Sequence, residues 1–455
     1  MSTPAAPQPS KTPVNAPRPR LVRFCVEGLF GRYDHNIPLN QKERVTVIHG
    51  PNGVGKTAVL RLMEAACQGN LEEILPVIPF RRLTMELADG AQIIWRHAGT
   101  QEERIDLSSV GQRLLWEVVM PDGAQIPWGQ TMDSWATYLD AKGVGQSDTD
   151  IAAALEAAQI SHALLVADAP QRLVVYRKAA ALVRSVPHET LLVRIDRLRH
   201  TSVTTKAEQR WHDGRIGSPT VSPPTIALYS DALQDYFAET LQEYNELAQN
   251  LAQSFVRRLI RARAPLNIPD LHKRLNDVEA RRIRLRRWGL LPDLDDSAPI
   301  VPDEVDDRDV WALSVNVEDN EAMLPILERF AAKLVRLEQS MNSRLLHKQL
   351  HLSRAKGLEI RDTDGAYLSL DKLSSGEQHQ LILLFDMLFH TSPGSLVLID
   401  EPELSLHMTW QELFLPELME IAALNNLDFV VATHSPDIIG RYVQLEVPLT
   451  GELRT

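Results

Sequence analysis

Apolar and polar positions follow two different periods along this chain. Residues 21–30 (LVRFCVEGLF) have the apolar, partly alternating pattern of a strand. Residues 44–50 (RVTVIHG) form a compact β-branched run, which predicts a strand that leads directly into a glycine-rich loop. Residues 57–67 (TAVLRLMEAAC) then have helical periodicity. The N-terminal part therefore predicts the order strand, loop, helix.

The middle of the chain is mostly helical in pattern. Residues 80–97 predict a hairpin, because two strand-like runs flank an Asp-Gly turn. Residues 189–198 (ETLLVRIDRL) resemble another strand, whereas residues 230–290 and 320–348 predict helices. An acidic, proline-containing loop separates those two helical stretches.

Strand and helix patterns alternate again near the C-terminal end. Residues 380–390 (QLILLFDMLFH) predict a helix, and residues 395–403 (SLVLIDEPE) predict a strand that ends in carboxylates. A helix near residues 410–423 and a last strand over 428–433 follow. The alternation of strand and helix patterns predicts an α/β fold.

The same patterns divide the chain into four parts. They are a flexible proline-rich tail over residues 1–20, an N-terminal α/β part over 21–130, a mostly helical insertion over 131–350, and a C-terminal α/β part over 351–455.

Composition restricts the classes of protein. The chain has 455 residues and a net charge of -12, so any nucleic-acid binding must be local rather than spread over a basic surface. Two cysteines, Cys25 and Cys67, favour neither a disulfide framework nor a metal cluster. No apolar run approaches the ~20 residues that span a bilayer, and the N-terminal tail lacks the apolar h-region of a secretory signal. We expect a cytoplasmic protein without a membrane partner.

The glycine-rich loop GPNGVGKT occupies residues 50–57 and satisfies the pattern G-x-x-x-x-G-K-[ST]. Backbone N–H groups of such a loop hold phosphates, the lysine reaches the β and γ oxygens, and the threonine hydroxyl ligates Mg²⁺. A chance match in a turn is the alternative, which the flanking strand and helix disfavour. The predicted ATP-binding residues of this segment are Asn52, Gly53, Val54, Gly55, Lys56, Thr57 and Ala58.

The strand LVLIDEPE delivers two further carboxylates. Asp400 can hold Mg²⁺ with Thr57, and Glu401 can orient the attacking water. The alternative is an ordinary strand end that carries acidic residues. The P-loop upstream makes that alternative the weaker one.

Two more segments complete the set of candidate motifs. LSSGEQ (residues 373–378) stands at the start of a predicted helix, where Ser374, Gly376 and Glu377 could contact a γ-phosphate. The alternative is an ordinary helix N-cap without a ligand. ATHSPD places His434 after an apolar strand, where it can bind and sense a γ-phosphate. A satisfied structural histidine is the alternative for His434.

In this order, GPNGVGKT, LSSGEQ, LIDEPELSLH and ATHSP resemble the motifs of ABC-type ATPases. The segment EPELSLHMTWQ (residues 401–411) is similar to the corresponding segment of the overcoming-lysogenization-defect (OLD) class and of the ATPase subunits of the PARIS and Septu anti-phage systems. SMC and RecF ATPases are more distant relatives. The resemblance covers about residues 21–97 and 358–440. It implies an ABC-type ATPase head with a P-loop core sheet, an antiparallel β-subdomain and a large helical insertion, in which residues 21–130 and 351–455 are the two halves of the head. It also implies Mg-ATP bound between two heads, so the expected unit is a homo-oligomer.

The resemblance also assigns individual residues. One head would supply Lys56, Thr57, Asp400, Glu401 and His434, and the other would supply Ser374 and Gly376. Ser405 and His407 fall where the family has its D-loop. Tyr33 could contact adenine, with core or surface packing as the equal alternative. The Q-loop glutamine cannot be placed, since Gln92 and Gln101 are both near and neither has a clear motif.

OLD proteins carry a C-terminal Toprim nuclease domain, whereas only 21 residues follow His434 here. We therefore expect any nuclease activity to belong to a separate effector, Toprim-type or otherwise, with a phage-encoded protein as trigger. A DNA-repair ATPase of the SMC and RecF type is the alternative. A nucleotide-locked scaffold that does not depend on hydrolysis is a third hypothesis.

A basic segment spans residues 257–287 and precedes the acidic loop at 292–309. Its arginines could contact nucleic acid or an acidic partner. They could equally form a solvated helix face or pair with the acidic loop. The sequence leaves these alternatives open.

Overall fold

The computed structural model places two compact units along the chain, Met1–Ile195 with Ser392–Thr455, and Asp196–Thr391. It describes residues 20–97, 114–119, 123, 125–128, 190–194, 225–261, 265–292, 307–404 and 408–450.

The secondary structure alternates as the sequence pattern predicts. The strands are β1 (Leu21–Leu29), β2 (Tyr33–Pro38), β3 (Val45–His49), β4 (Arg82–Leu87), β5 (Gln92–His97), β6 (Leu114–Val119), β7 (Gln125–Trp128), β8 (Thr190–Arg194), β9 (Lys348–Ser353), β10 (Gly357–Asp362), β11 (Tyr367–Leu368), β12 (Leu396–Asp400), β13 (Asp428–Thr433) and β14 (Glu446–Pro448). The α-helices are α1 (Lys56–Gln68), α2 (Leu71–Ile74), α3 (Thr225–Arg261), α4 (Ile268–Arg286), α5 (Asp307–Asn342), α6 (Ser375–Phe385), α7 (Met408–Asn425) and α8 (Pro436–Ile439).

A parallel sheet forms the centre of the first unit. Its strand order is β14-β3-β13-β12-β8, and each neighbouring pair runs parallel. Strands β3, β12 and β13 are almost wholly buried. Their sequences are accordingly continuous apolar runs rather than alternating ones. The carboxyl ends of these strands meet at one edge of the sheet, where α1 also begins.

A second sheet of the first unit is antiparallel, with the order β2-β1-β4-β5-β6-β7. The predicted hairpin over residues 80–97 is confirmed as β4 and β5. Its turn has Gly90 at φ 88°, and Asp89 Oδ1 accepts a hydrogen bond from the Ala91 N–H group. Phe24 and Phe80 are fully buried and belong to the apolar core between this sheet and α1. The prediction of a mixed α/β fold is confirmed.

Strand β8 changes the predicted division of the chain. The sequence predicts a strand here, but the segment 131–350 that contains it was expected to be a helical insertion. Strand β8 pairs in parallel with β12 from Leu191↔Val397 to Val193↔Ile399. A five-residue strand gains stability only from its neighbours in a sheet, and sequence pattern does not show which strand that is.

The second unit contains three long helices and a small sheet. Helix α5 packs against both α3 and α4, and strands β11, β10 and β9 form an antiparallel sheet. The helix predicted over 320–348 begins earlier, at Asp307, and ends at Asn342. Part of the expected acidic loop is therefore helical, and residues 293–306 lie outside the described part. None of the described helices has a stretch long and apolar enough to span a bilayer.

The basic segment is largely paired within the second unit. Two bidentate ion pairs join α4 to α5. Arg274 binds Glu321, and Arg281, two helical turns further along α4, binds Glu328. Helix α3 contributes Arg258, which donates to both carboxylate oxygens of Asp319 on α5. These arginines pair with α5, whereas the acidic loop was one of several partners that the sequence left open.

Other members of the basic segment differ in exposure. Arg286 is mostly buried and donates to Glu279 and to the Pro292 carbonyl. Exposed side chains belong to Arg257, Arg261, Lys273, Arg284 and Arg287, while Arg263 lies outside the described residues. Helix packing therefore uses part of the predicted patch, and another part faces solvent.

The pairing of α4 with α5 predicts a pH-dependent contribution to stability. The hydrogen bonds from Arg281 lower the pKa of Glu328, and burial opposes this shift only in part. A lowered pKa in the folded state stabilises the fold above the ordinary pKa of 4.5, and this contribution is lost as pH falls through the folded value. Glu328→Gln should lower the free energy of unfolding by about 0.5–1 kcal/mol at pH 7, because the pair is partly exposed.

Urea unfolding followed by circular dichroism at pH 7 and near pH 4 would measure this contribution. The difference between wild type and Glu328→Gln should shrink at the lower pH. The control Glu318→Gln changes an exposed carboxylate of α5 that has no direct ion pair among the described residues. An equal loss in both variants, or a loss independent of pH, would contradict the assignment.

Candidate functional site

The glycine-rich loop has the backbone geometry of a phosphate cradle. Gly53 and Gly55 have φ of 86° and 94°, which strongly favours glycine. A Cβ at Gly55 would lie 2.7 Å from Leu29 Cδ2, so the loop packs tightly on β1. Gly55 is the N-cap of α1, and no described side chain caps that helix. The N–H groups of the first turn are therefore open to an anion.

His35 braces this loop from the antiparallel sheet. Its Nε2–H group donates to the Val54 carbonyl at 2.8 Å, in a buried position. Burial lowers the pKa of His35, although the hydrogen bond to Val54 opposes the shift, so the neutral ring fits this donor role. Tyr33 stacks on His35 with an interplanar angle of 11°. Tyr33 is thereby linked to the P-loop, and its contact with adenine stays a prediction.

Lys56 is held inside the loop, with 5% of its surface exposed. Its ammonium donates to the carbonyls of Gly50 at 2.8 Å and Pro51 at 3.1 Å. It also lies 3.1 Å from Nδ1 of His434. Nδ1 accepts this bond, so the ring proton of His434 resides on Nε2.

Burial lowers the pKa of Lys56 from its ordinary value. Three carboxylates oppose this shift through their negative charge, those of Glu401, Glu403 and Asp400. The three protons of the ammonium are already donated to Gly50 O, Pro51 O and His434 Nδ1, so a ligand must replace these acceptors. Phosphate oxygens can do so, because they accept charge-assisted hydrogen bonds from an ammonium.

A hydroxyl and a carboxylate meet beside the lysine. Thr57 Oγ1, on α1, donates to Asp400 Oδ1, at the end of β12, over 3.2 Å. The described residues contain no cluster of three or more His, Cys, Asp or Glu that could hold a metal alone. Mg²⁺ usually takes one or two protein ligands and completes its shell with phosphate and water oxygens. Thr57 and Asp400 fit that requirement.

Glu401 adopts an unusual backbone conformation directly after Asp400. Its φ of 50° is left-handed, which costs a residue with a side chain about 1–2 kcal/mol. Its N–H group bonds to Ala432 O at 2.8 Å, which anchors the residue to β13. Its Oε1 lies 3.9 Å from His434 Nε2. The sheet edge therefore brings together five of the predicted residues, Lys56, Thr57, Asp400, Glu401 and His434.

Glu403 was not among the predicted site residues, yet it contacts this cluster. One carboxylate oxygen accepts from the His434 N–H group at 2.7 Å, and the other accepts from Thr433 Oγ1 at 2.8 Å. The only sequence signal is the second glutamate of EPE, which stands two residues after Glu401. That spacing does not by itself reveal the contact.

The LSSGEQ segment belongs to the second compact unit. Ser374 is the N-cap of α6, and it exchanges hydrogen bonds with Glu377 in a capping box. Lys348 also bonds to Glu377 at 3.0 Å. Burial raises the pKa of Glu377, but the hydrogen bonds from Ser374 and Lys348 outweigh burial and lower it. Glu377, predicted to bind ATP, therefore uses its carboxylate within its own unit, because the helix start requires a cap.

The remaining predicted residues are less defined. No described atom lies within 4 Å of a Cβ built on Gly376, so its backbone is accessible. Gln92 belongs to β5 and pairs with Val119. Ser405, His407 and Gln101 lie outside the described residues. A cavity of about 460 Å³ opens beside the P-loop, and His49, Gly50, Pro51, His434, Pro448, Leu449 and Thr450 line it.

Comparison with known proteins supports an ATPase domain of the AAA or ABC type. A family described as "AAA domain, putative AbiEii toxin, Type IV TA system" matches residues 222–440, a little under half of the chain. The match contains LSSGEQ, Asp400, Glu401 and His434 but begins after the P-loop.

A curated relative, the Retron Ec83 probable ATPase of Escherichia coli, is 32% identical over 146 residues. The match covers 27% of this chain and 26% of the relative, so the chain spans about a quarter of the length of that protein.

Two solved structures share a remote likeness with the chain. One is the Smc head domain of Pyrococcus furiosus with an extended coiled coil, bound to the C-terminal domain of ScpA. Its TM-score is 0.34 at 14% identity, with 96% of this chain and 95% of that chain covered. The other is the SMC head domain of Thermotoga maritima, with a TM-score of 0.29 at 12% identity, covering 92% of this chain and 91% of that one.

Two glycine substitutions in the loop should differ in effect. In Gly53→Ala and in Gly55→Ala the alanine must adopt the left-handed backbone of the loop, which costs about 1–2 kcal/mol each. Only Gly55→Ala adds a clash with Leu29, whereas the space around Gly53 is open. Gly55→Ala should lower the thermal midpoint and weaken binding of a fluorescent ATP analogue more than Gly53→Ala does. Equal effects would contradict the packing of the loop on β1.

Proposed function

We propose that this protein binds Mg-ATP at the edge of the parallel sheet and hydrolyses it. The observation that supports the proposal is the convergence of Lys56, Thr57, Asp400, Glu401 and His434, which come from three separate stretches of the chain. Phosphoryl transfer requires positioning and charge stabilisation more than covalent chemistry from the protein. A lysine, a hydroxyl–carboxylate pair, a second carboxylate and a histidine meet that requirement.

The residues divide the reaction between them. Lys56 would exchange its bonds to Gly50 O, Pro51 O and His434 for bonds to the β and γ oxygens. That exchange releases the Nδ1 of His434. Thr57 and Asp400 would hold Mg²⁺, which supplies charge neutralisation on the phosphate oxygens when it is bound.

Glu401 would then orient the attacking water and accept its proton, since its carboxylate is the one adjacent to His434. The Nε2–H group of His434 can donate to a γ-phosphate oxygen, so the ring would sense whether that phosphate is present. The left-handed backbone of Glu401 sets the direction of its side chain.

Glu401→Gln should slow hydrolysis by about 10²–10⁴-fold, because the amide cannot accept the proton of the water. ATP affinity should stay within about threefold, since the side chain keeps its shape. Phosphate release and equilibrium binding of a fluorescent ATP analogue would measure the two quantities. Glu412→Gln, an exposed change on α7, is the matched control. Wild-type hydrolysis no faster than that of Glu401→Gln would favour a nucleotide-locked scaffold instead.

The active unit in this proposal is a homo-oligomer. Ser374 and the accessible backbone at Gly376 open α6, whose N-terminus can bind the γ-phosphate held by a second copy. The resemblance to ABC-type ATPases supports this composite site.

Mixing two inactive variants would test the composite site. Lys56→Ala removes the phosphate-binding lysine, and Gly376→Asp places a negative charge at the start of α6, where an acidic residue does not harm the helix. Each variant alone should be inactive. A mixed population of dimers should recover about a quarter of wild-type activity, because half of the dimers are mixed and each has one intact site. No recovery after subunit exchange would exclude this arrangement.

We further propose that the ATPase is the cytoplasmic sensor or scaffold subunit of an anti-phage system, with a separate effector, a Toprim-type or other nuclease, and a phage-encoded trigger. The match to a retron ATPase and to the AbiEii-type family supports a defence function. Purification at native expression levels, followed by mass spectrometry, would test the association. A protein that is isolated without any effector would count against it.

A DNA-repair ATPase of the SMC and RecF type is the second candidate. The observation in its favour is the solvent-facing part of the basic segment, at Arg257, Arg261 and Arg284. The pairing of Arg258, Arg274 and Arg281 with α5 reduces the charge that is available to DNA. Binding of duplex DNA that weakens steeply with salt would support this candidate, and its absence would leave the defence function.

A further inference from the structure

Glu403 joins the ends of two adjacent strands. It lies in the short turn Pro402–Leu404 that follows β12. Its two hydrogen-bond donors are Thr433, the last residue of β13, and His434, the residue after it. One oxygen accepts from the backbone N–H group of His434 at 2.7 Å. The other accepts from the hydroxyl of Thr433 at 2.8 Å. Both oxygens of this carboxylate are therefore engaged with the segment that carries the histidine.

The Thr433 hydroxyl connects this carboxylate to the turn after the histidine. Thr433 is fully buried, and its Oγ1 accepts from the Ser435 N–H group at 2.9 Å while donating to Glu403. Ser435 Oγ in turn donates to Gln411 Oε1 on α7 at 2.7 Å. The residues on either side of His434 are thus tied to Glu403 and α7, and the imidazole is left to contact the P-loop.

The position of the imidazole follows from this anchoring. Its Nδ1 lies 3.1 Å from Lys56 Nζ, and its Nε2 lies 3.9 Å from Glu401 Oε1. A backbone displacement of about 1 Å would misalign both nitrogens, and displacements of that size can cost about 10²-fold in rate. Glu401 and Glu403 thereby have different tasks, one beside the reacting phosphate and one behind the histidine.

We propose that Glu403 is a positioning residue, which holds the backbone of His434 so that its imidazole is aligned with Lys56 and with the γ-phosphate. The inference rests on the proposed ATPase function. It adds that the second glutamate of EPE acts through His434 and does not touch the nucleotide. It also links the turn after β12 to the turn after β13, so that a shift of Glu401 moves the histidine.

Glu403→Ala should lower the rate of ATP hydrolysis about tenfold or more while ATP affinity changes less than about twofold. Glu403→Gln should retain more activity than Glu403→Ala, since its amide oxygen still accepts from the His434 N–H group, although the Thr433 hydroxyl loses its carboxylate acceptor. Glu412→Ala, exposed and without a described contact, is the control and should be unchanged. Wild-type rates in Glu403→Ala would overturn the proposal.

A double-mutant cycle separates positioning from general stability. In a His434→Ala background, Glu403→Ala should change the rate less than about twofold, because the residue acts through the imidazole that is already missing. Equal losses in both backgrounds would show a role independent of His434 and would reject the inference. If Glu403→Ala does not fold, Glu403→Asp serves instead. Its shorter side chain cannot reach both donors, so a wild-type rate in that variant would equally reject it.

A readout without nucleotide distinguishes this inference from the proposed function. In protein labelled with ¹³C-histidine, the imidazole signal that His434→Ala removes should shift in Glu403→Ala and stay in place in Glu412→Ala. An unmoved signal in Glu403→Ala would overturn the positioning role even if ATP is hydrolysed. Absence of hydrolysis in the wild type would overturn the proposed function, while the histidine signal would still decide the role of Glu403.

Discussion

The parallel pairing of β3, β13 and β12 is the constraint on which the candidate site depends. Parallel strands present their carboxyl ends at a single edge. The three strands end at His49, Asp400 and Thr433, so the P-loop, the acidic turn and the histidine turn meet there. The register of the pairs, with Asp400 opposite Ala432 and Thr433 opposite His49, decides which residues meet at this edge.

Charge within this edge is arranged before any nucleotide binds. Lys56 is surrounded by loop carbonyls, by His434 and by three carboxylates, and its burial makes that surrounding necessary. A buried cation without partners would cost several kcal/mol. Phosphate oxygens can replace the carbonyl and histidine acceptors of Lys56. The buried charge of Lys56 therefore accounts both for the contacts in the free site and for its affinity for an anion.

Ion pairs have a different place in the second unit. Bidentate arginine–carboxylate pairs join α4 to α5 at Arg274 and Arg281, seven residues apart, which is two helical turns on the same face. Sequence alone shows that the arginines are concentrated here but not where their side chains point. The helix face that meets α5 is a property of packing, and it decides which part of the basic segment is left for a partner.

The strand–loop–helix order, the hairpin, the P-loop and the carboxylates after β12 can all be predicted from the chain, because they depend on local periodicity and on residue types that few other sites need. Three other features depend on tertiary packing. They are the pairing of β8 with β12, the brace from His35 to Val54, and the bonds from Glu403 to the histidine turn. Each of these contacts joins two segments that are separated along the chain and come together only in the folded protein. Their energies come from contacts that exist only once the sheet has formed, so no local pattern encodes them.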